Sequence, residues 1–353
     1  ALPIWEILGE TPSSNELVAL FSDAYKGHNT LAQATRYFVN ELFRKYGLLI
    51  IDADDPELKR LFADVILNEL LHEVSYSCVE KTTEAYSANY TPQVNPRKIN
   101  LFYLKENLRE RIIEDNGVYR INNTDMVFSK EEIKTELQDH PERFSPNVIL
   151  RPLLQEYILP NLSYTGGGAE LSYWFQLKGL FSYYNKKMPV LLLRDSVMII
   201  EKKQFEKING LGLSVDDIFK TYDEISRIWL AKNTMEVAFE SELAQLERIY
   251  NLISEKASAV DLTLKSTALS EHQKAVKGVN QLEEKIIKAL KRNNDTALTQ
   301  IRTVKSKLFP DNELQERHNN FMMFYSKWGQ QFIEELIHHQ NPFEKEFKIL
   351  VEE

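Results

Sequence analysis

Apolar residues recur at three- and four-residue spacing over residues 15–25 and 30–45, which predicts two amphipathic helices. Residues 47–52, GLLIID, break that rhythm with a continuous apolar run ending in an acid, the pattern of a buried parallel strand. Asp54, Asp55 and Glu57 favour a helix N-terminus and Pro56 suits its first turn, so a helix is expected from there through Leu71. The period then changes. Residues 100–104 read as a strand, and residues 118–121 and 126–128 flank a polar hairpin turn at 122–125. Ser129 and Glu132 have the spacing of a capping box. This part reads as a small α+β insertion, about 75–142. Residues 148–150 and 190–193 predict two more strands. With helical sequence between them, they argue for a βαβ arrangement and a mostly parallel sheet.

From about Leu230 the texture is helical. Phe239, Leu243, Leu246, Tyr250, Ile253 and Ala257 follow a heptad seam. Val276, Val279, Ile286 and Leu290, then Ala297, Ile301, Val304 and Leu308, continue it. Two long helices in an antiparallel hairpin are the simplest reading. Its turn falls near 257–261, with Asp261 capping the second helix. One continuous helix also keeps the spacing. Pro310 ends the pair, and a closing helix is expected over 313–339. The fold class is therefore α/β followed by a long antiparallel coiled coil, divided as 1–229 and 230–353.

Charge and cysteine content narrow the function classes. A net charge of −9 opposes nucleic-acid binding, because phosphate backbones reward clustered Lys and Arg. The single cysteine, Cys78, cannot form an internal disulfide and fits the reducing cytoplasm. No apolar run reaches the ~18–20 residues of a membrane span. The opening ALPIWEIL lacks a signal-peptide pattern.

Candidate chemistry concentrates in residues 143–178. Gly166, Gly167 and Gly168 precede a helical run in which Glu170, Tyr173, Trp174 and Leu177 share a face. Free N–H groups at such a turn favour a phosphate or carboxylate. A plain tight turn before a core helix explains the same residues equally well, and the spacing is not that of a P-loop or dinucleotide fingerprint. Arg151 and Arg194 each end an expected strand, where an arginine can clamp a carboxylate or pair with a neighbouring acid. Asn161, Tyr164, Gln176 and Ser196 complete the candidate substrate-binding set, and Glu170 is the candidate catalytic residue. Asp52 can hold a ribose hydroxyl or cap the next helix; Gln315 and Arg317 can reach a cofactor or form a rigid corner. The seven histidines form no HxxxH or HExxH pattern, so no metal site is expected.

Four segments carry a resemblance: YGLLIIDADDPELKRLF (46–62), RFSPNVILRPLLQEYILPNLSYTGGGAELSYWFQLK (143–178), MPVLLLRDS (188–196) and LFPDNELQER (308–317). In these the chain resembles the BshC family, the cysteine-adding enzymes of bacillithiol biosynthesis. The resemblance implies a Rossmann-like core with inserted connective segments and a C-terminal coiled coil that dimerises. It implies a ligase joining L-cysteine to glucosaminyl-malate, and an ATP or ADP site by likeness to class I aminoacyl-tRNA synthetases. The family carries a further N-terminal part of that core which finds no match here, so the core is expected to be incomplete. A non-catalytic dimerisation module and a nucleotide-binding domain of other chemistry stay open beside the ligase.

Overall fold

The computed structural model describes residues 9–234 and 237–353; the ALPIWEIL segment lies outside them. The chain divides into two compact units. One holds the residues up to Asp195 together with Phe321–Glu346, the other Ser196–Asn320 with Phe347–Glu353.

The first unit opens with α1 (Pro12–Gly27) and α2 (Leu31–Phe43), capped by the Thr11 and Thr30 side chains. A short helix, Pro56–Arg60, precedes α3 (Ala63–His72), and α4 (Val74–Ser87) follows directly. The expected single helix is thus broken at Leu61 and Phe62, where Phe62 turns into the core and is fully buried. The insertion is a five-stranded antiparallel sheet. Its strands are β1 (Leu101–Lys105), β2 (Leu108–Asp115), β3 (Val118–Ile121), β4 (Val127–Ser129) and β5 (Phe144–Pro146), in the order β4-β3-β2-β1-β5. Helix α5 (Lys130–Asp139) starts at the Ser129–Glu132 capping box, which is present on both sides.

Next come α6 (Arg151–Ile158), β6 (Ser163–Gly166), α7 (Gly168–Gln176), α8 (Lys178–Tyr183) and β7 (Val190–Leu193). Strands β6 and β7 pair in parallel, with Gly166 opposite Leu193. One core joins α3, α4, the insertion sheet, α6 and α7 through Phe62, Ile66, Tyr103, Phe144, Leu153 and Trp174.

Two expected strands of this unit are absent. Residues 148–150 form a turn. The Asn147 side chain accepts from Ile149 N–H at 2.9 Å, and the Asn147 carbonyl from Arg151 N–H at 2.9 Å. The apolar run there reflects burial of Ile149 and Leu150, not a ladder, and Pro152 sits in the first turn of the helix that follows. Arg151 therefore begins a helix rather than ending a strand. Residues 47–52 also lack a strand, because no ladder partner exists for them among the described residues.

At Gly179, α8 crosses α4 so closely that an added Cβ would lie 2.5 Å from Thr82 Oγ1 and 3.0 Å from the Cys78 carbonyl. Overpacking of this kind costs about 1–3 kcal/mol. Gly179→Ala should lower the unit's stability by that amount in a urea titration, and a change within about 0.5 kcal/mol, the size of an ordinary surface substitution, would contradict the crossing.

The second unit starts with β8 (Ser196–Ile200), parallel to β9 (Phe347–Val351). Helix α9 (Tyr222–Asn233) precedes the long pair α10 (Glu240–Val260) and α11 (Leu264–Asn293), followed by α12 (Asp295–Leu308). Helices α10 and α11 form the expected antiparallel hairpin, with the Tyr250 and His272 rings 5.1 Å apart. Asp261 closes the turn by accepting from Thr263 N–H and hydroxyl, each at 2.8 Å.

The unit boundary at Asp195 and Ser196 differs from the expected 229/230. The reason is packing: Met198, Ile200, Ile208 and Ile225 share one core with Leu298, Ile301, Val304 and Leu308 of α12. The expected closing helix is also divided, into Gln315–His318, Met322–Trp328 and Gln330–His339. Gly329 separates the last two at a φ of +59°, a conformation that favours glycine.

Candidate functional site

Strands β6 and β7 end side by side, and the Arg194 N–H donates to the Gly166 carbonyl at 2.9 Å. The carboxyl ends of parallel strands are where open α/β folds take ligands. Here the chain turns through Gly167 into α7, whose first residues bring Glu170 back over the turn.

Glu170 organises the site. Its Oε1 accepts from the Tyr164 hydroxyl at 2.5 Å, from the Tyr173 hydroxyl at 3.4 Å and from Arg151 Nη2 at 3.4 Å; its Oε2 accepts from Gly167 N–H at 3.4 Å. Arg151 Nη2 also donates to the Tyr173 hydroxyl at 3.0 Å. Burial pushes the Glu170 carboxyl up, but the Tyr164 hydroxyl, the Gly167 N–H and Arg151 outweigh it, so it titrates below the ordinary carboxylate range. What it adds to stability is present above that ordinary range and lost as pH falls through the lowered value. A carboxylate held this way is a poor proton acceptor at neutral pH.

Gly166 fits because nothing larger does. A Cβ there would lie 2.9 Å from the Tyr164 ring, 3.1 Å from Glu170 Oε2 and 3.2 Å from Leu171. Gly168, by contrast, faces open space. The Tyr164 ring stacks on Trp174 with centroids 4.1 Å apart. Trp174 itself is fully buried, so it is the floor beneath Tyr164 rather than a wall.

The charges are unequal. Arg151 is neutralised by Glu170. Arg194 is exposed, and among the described residues its guanidinium has no hydrogen-bond or ion-pair partner. The cluster thus combines a satisfied Arg151–Glu170–Tyr164–Tyr173 platform with one free cation beside it.

The other expected residues are placed differently. Gln176 is buried and fully used: its Oε1 accepts from Gln93 and Val94 N–H, and its Nε2 donates to Thr83 Oγ1 and the Val94 carbonyl. Asn161 donates twice to the buried Glu156, from N–H at 3.1 Å and Nδ2 at 2.6 Å. Asp52 accepts from Asp54 N–H at 3.0 Å within the turn, while the cap of the helix that follows is Asp55, which accepts from Glu57 and Leu58 N–H at 2.9 and 3.3 Å. In the second unit Gln315 is buried and grips Ile199 through both backbone groups, at 2.8 and 2.9 Å, closing the β8 edge. Ser196 donates to Glu316 at 3.2 Å, and Arg317 stands 3.9 Å from the same carboxylate. Among the described residues, no cluster of three or more His, Cys, Asp or Glu side chains has the arrangement to hold a metal ion.

One set of residues escaped the sequence reading. Glu69 on α3 accepts from Ser75 N–H at 2.8 Å, Ser75 Oγ at 2.5 Å and Asn100 N–H at 3.0 Å. Asn100 in turn accepts from Asn147 Nδ2 at 2.8 Å and Asn147 N–H at 3.0 Å, and Asn147 starts the turn into Arg151. This chain of buried bonds fixes where α6 begins. The available signal was Glu69 on the same helix face as Val65 and Ile66, a charge amid core positions.

Sequence comparison decides the family. The model of the BshC N-terminal Rossmann-like domain of bacillithiol biosynthesis matches residues 3–195, and that of its C-terminal coiled-coil domain matches residues 197–352. The chain belongs to the BshC family. A BshC relative from Flavobacterium johnsoniae is 42% identical over 97% of this chain, and one from Christiangramia forsetii 40% over 97%. Both carry the name "Putative cysteine ligase BshC". The chain spans 65% and 64% of their respective lengths. The two matches meet next to the unit boundary at Asp195, while Phe321–Glu346, within the coiled-coil match, pack with the first unit. A Rossmann-like domain is compatible with nucleotide binding.

Proposed function

We propose that this chain forms the substrate-binding part of a ligase that joins the L-cysteine carboxyl to the amine of glucosaminyl-malate, the last step of bacillithiol synthesis. The observation that carries the reading is a free cation, Arg194, beside a glycine turn at the paired carboxyl ends of β6 and β7. The relatives' shared name supports the ligase class. Both substrates are carboxylates at neutral pH.

In this scheme Arg194 binds a substrate carboxylate and the Gly168 N–H, at the start of α7, is offered to the same anion. Tyr164 and Tyr173 present hydroxyls to sugar or amine groups. Glu170, lowered and already bonded, orients the Arg151 and tyrosine donors instead of accepting the amine proton. Trp174, Gln176 and Asn161 hold this surface from below. Asp52, Gln315, Arg317 and Ser196 serve as structural residues rather than cofactor or substrate contacts. ATP is the co-substrate that would activate the cysteine carboxyl, and the lone Cys78 suits reaction in the cytoplasm. The test is isothermal titration of glucosaminyl-malate and of its dimethyl ester. The ester should bind at least tenfold more weakly. Equal affinities would overturn the carboxylate site.

A second copy of the chain completes the assembly in this reading. The α10–α11 hairpin leaves apolar side chains outside its own seam: Leu252 is 60% exposed, and Ile249, Leu269 and Leu282 are exposed with it. Large apolar side chains left exposed along such a hairpin suit an interface. Light scattering should show a dimer that Ile249→Asp with Leu252→Asp converts to a folded monomer. A dimer that survives both changes would place the interface elsewhere.

A further inference from the structure

The insertion sheet has one covered face and one open face. On the covered face Tyr103, Ile112, Tyr119 and Ile121 share a core with Ile133 and Leu137 of α5. Side chains alternate along a strand, so the register gathers the remaining positions on the open face. There Phe102 lies opposite Arg111, Leu104 opposite Arg109, and Ile113 opposite Arg120. Ile113 is 41% exposed, and Val127, opposite Arg120 on β4, is 46% exposed.

The charge on this open face is one-sided. Arg109 and Arg111 are alternate residues of β2, and Arg120 on β3 is the diagonal neighbour of Arg111. Such neighbours lie roughly 7–8 Å apart. Among the described residues none of the three guanidiniums has a hydrogen-bond or ion-pair partner. That of Arg109 rests on the Phe102 ring, 3.8 Å from its centroid. The acids that alternate with them on β2, Glu110 and Glu114, belong to the other face and accept from Asn123 and from Gly117 N–H. Asp115, at the end of β2, shares the open face and accepts from Asn116. Cross-strand pairs of opposite charge stabilise a sheet, yet the three arginines go without them in a chain of net charge −9.

We infer that the open face of the insertion sheet docks an extended acidic segment of a partner protein. Carboxylates of the segment meet Arg109, Arg111 and Arg120, where bidentate pairing is available to each. An extended chain sets alternate side chains about 7 Å apart, which matches the spacing of the arginines. Apolar side chains of the segment cover Leu104, Ile113 and Val127 between them. A nucleic acid fits less well. It brings a charge at every nucleotide to an acidic chain, and Phe102 lies under Arg109 and offers no open ring for base stacking. The inference is independent of the ligase chemistry, because none of these residues belongs to the β6–β7 site.

The test measures fluorescence anisotropy of three labelled probes at low salt: a short peptide of alternating Glu and Val, its Lys–Val counterpart, and a single-stranded RNA of similar length. The acidic peptide should bind at least tenfold more tightly than either of the others. Arg109→Glu with Arg120→Glu should weaken it at least tenfold. Both side chains are exposed, so the exchange leaves folding intact. The corresponding double change to Gln, which removes charge without reversing it, should fall between that variant and the parent. No binding of the acidic peptide, or binding that both variants leave unchanged, overturns the inference. Equal or tighter binding of the RNA also overturns it, by assigning the face to nucleic acid.

Discussion

Glu69→Ala should destabilise the first unit by about 3–5 kcal/mol, because it orphans the buried Ser75 and Asn100 N–H groups at about 1–3 kcal/mol each and empties a fully buried position. The melting temperature should fall by roughly 10 °C. Burial pushes this carboxyl above its ordinary range, and the Ser75 and Asn100 bonds only partly offset that. Glu69→Gln separates charge from hydrogen bonding. Every group bonding Glu69 is a donor, so the glutamine amide nitrogen must face another donor. An intermediate loss is expected. The effect reaches the site because Asn100 holds Asn147, which starts the helix carrying Arg151. Urea titration of the two variants checks the order, and a Glu69→Ala protein as stable as its parent would remove the network from the account.

Arg194→Gln should reduce glucosaminyl-malate affinity by tenfold or more. A charge-assisted bond to a carboxylate contributes about 1.5–3 kcal/mol, and among the described residues Arg194 has no competing partner to release. Arg151 behaves differently because its charge is already spent on Glu170. Arg151→Gln leaves the Glu170 carboxylate uncompensated beside the ligand, so affinity falls by repulsion. Adding Glu170→Gln should then restore it to within about threefold of the parent, a coupling expected only of groups in contact. Wild-type affinity in Arg194→Gln would exclude it as the carboxylate contact.

What was legible in the sequence was local. The heptad spacing from Leu243 to Tyr250 gave the hairpin, and the Ser129–Glu132 box gave the start of α5, because both signals lie within a few turns of one helix. The cluster of Arg151, Tyr164, Glu170 and Tyr173 was legible for the same reason: its members lie within 22 residues of one another. The failures are long-range. Residues 148–150 are apolar because Ile149 and Leu150 enter the core, and apolarity alone does not separate a buried turn from a buried strand. The sequence left Gln315 open between a ligand contact and a rigid corner; its amide pairs with the backbone of Ile199, 116 residues earlier. Glu69 meets Asn100 across 31 residues, with no motif to announce it.

The central claim is that a carboxylate substrate binds at the paired ends of β6 and β7. Amide hydrogen exchange of this chain with and without saturating glucosaminyl-malate tests it most directly. The account predicts slowed exchange at Gly166, Gly167, Gly168 and Arg194, with the α10–α11 hairpin unchanged. Protection confined to other segments, with those four amides unaltered, would contradict it.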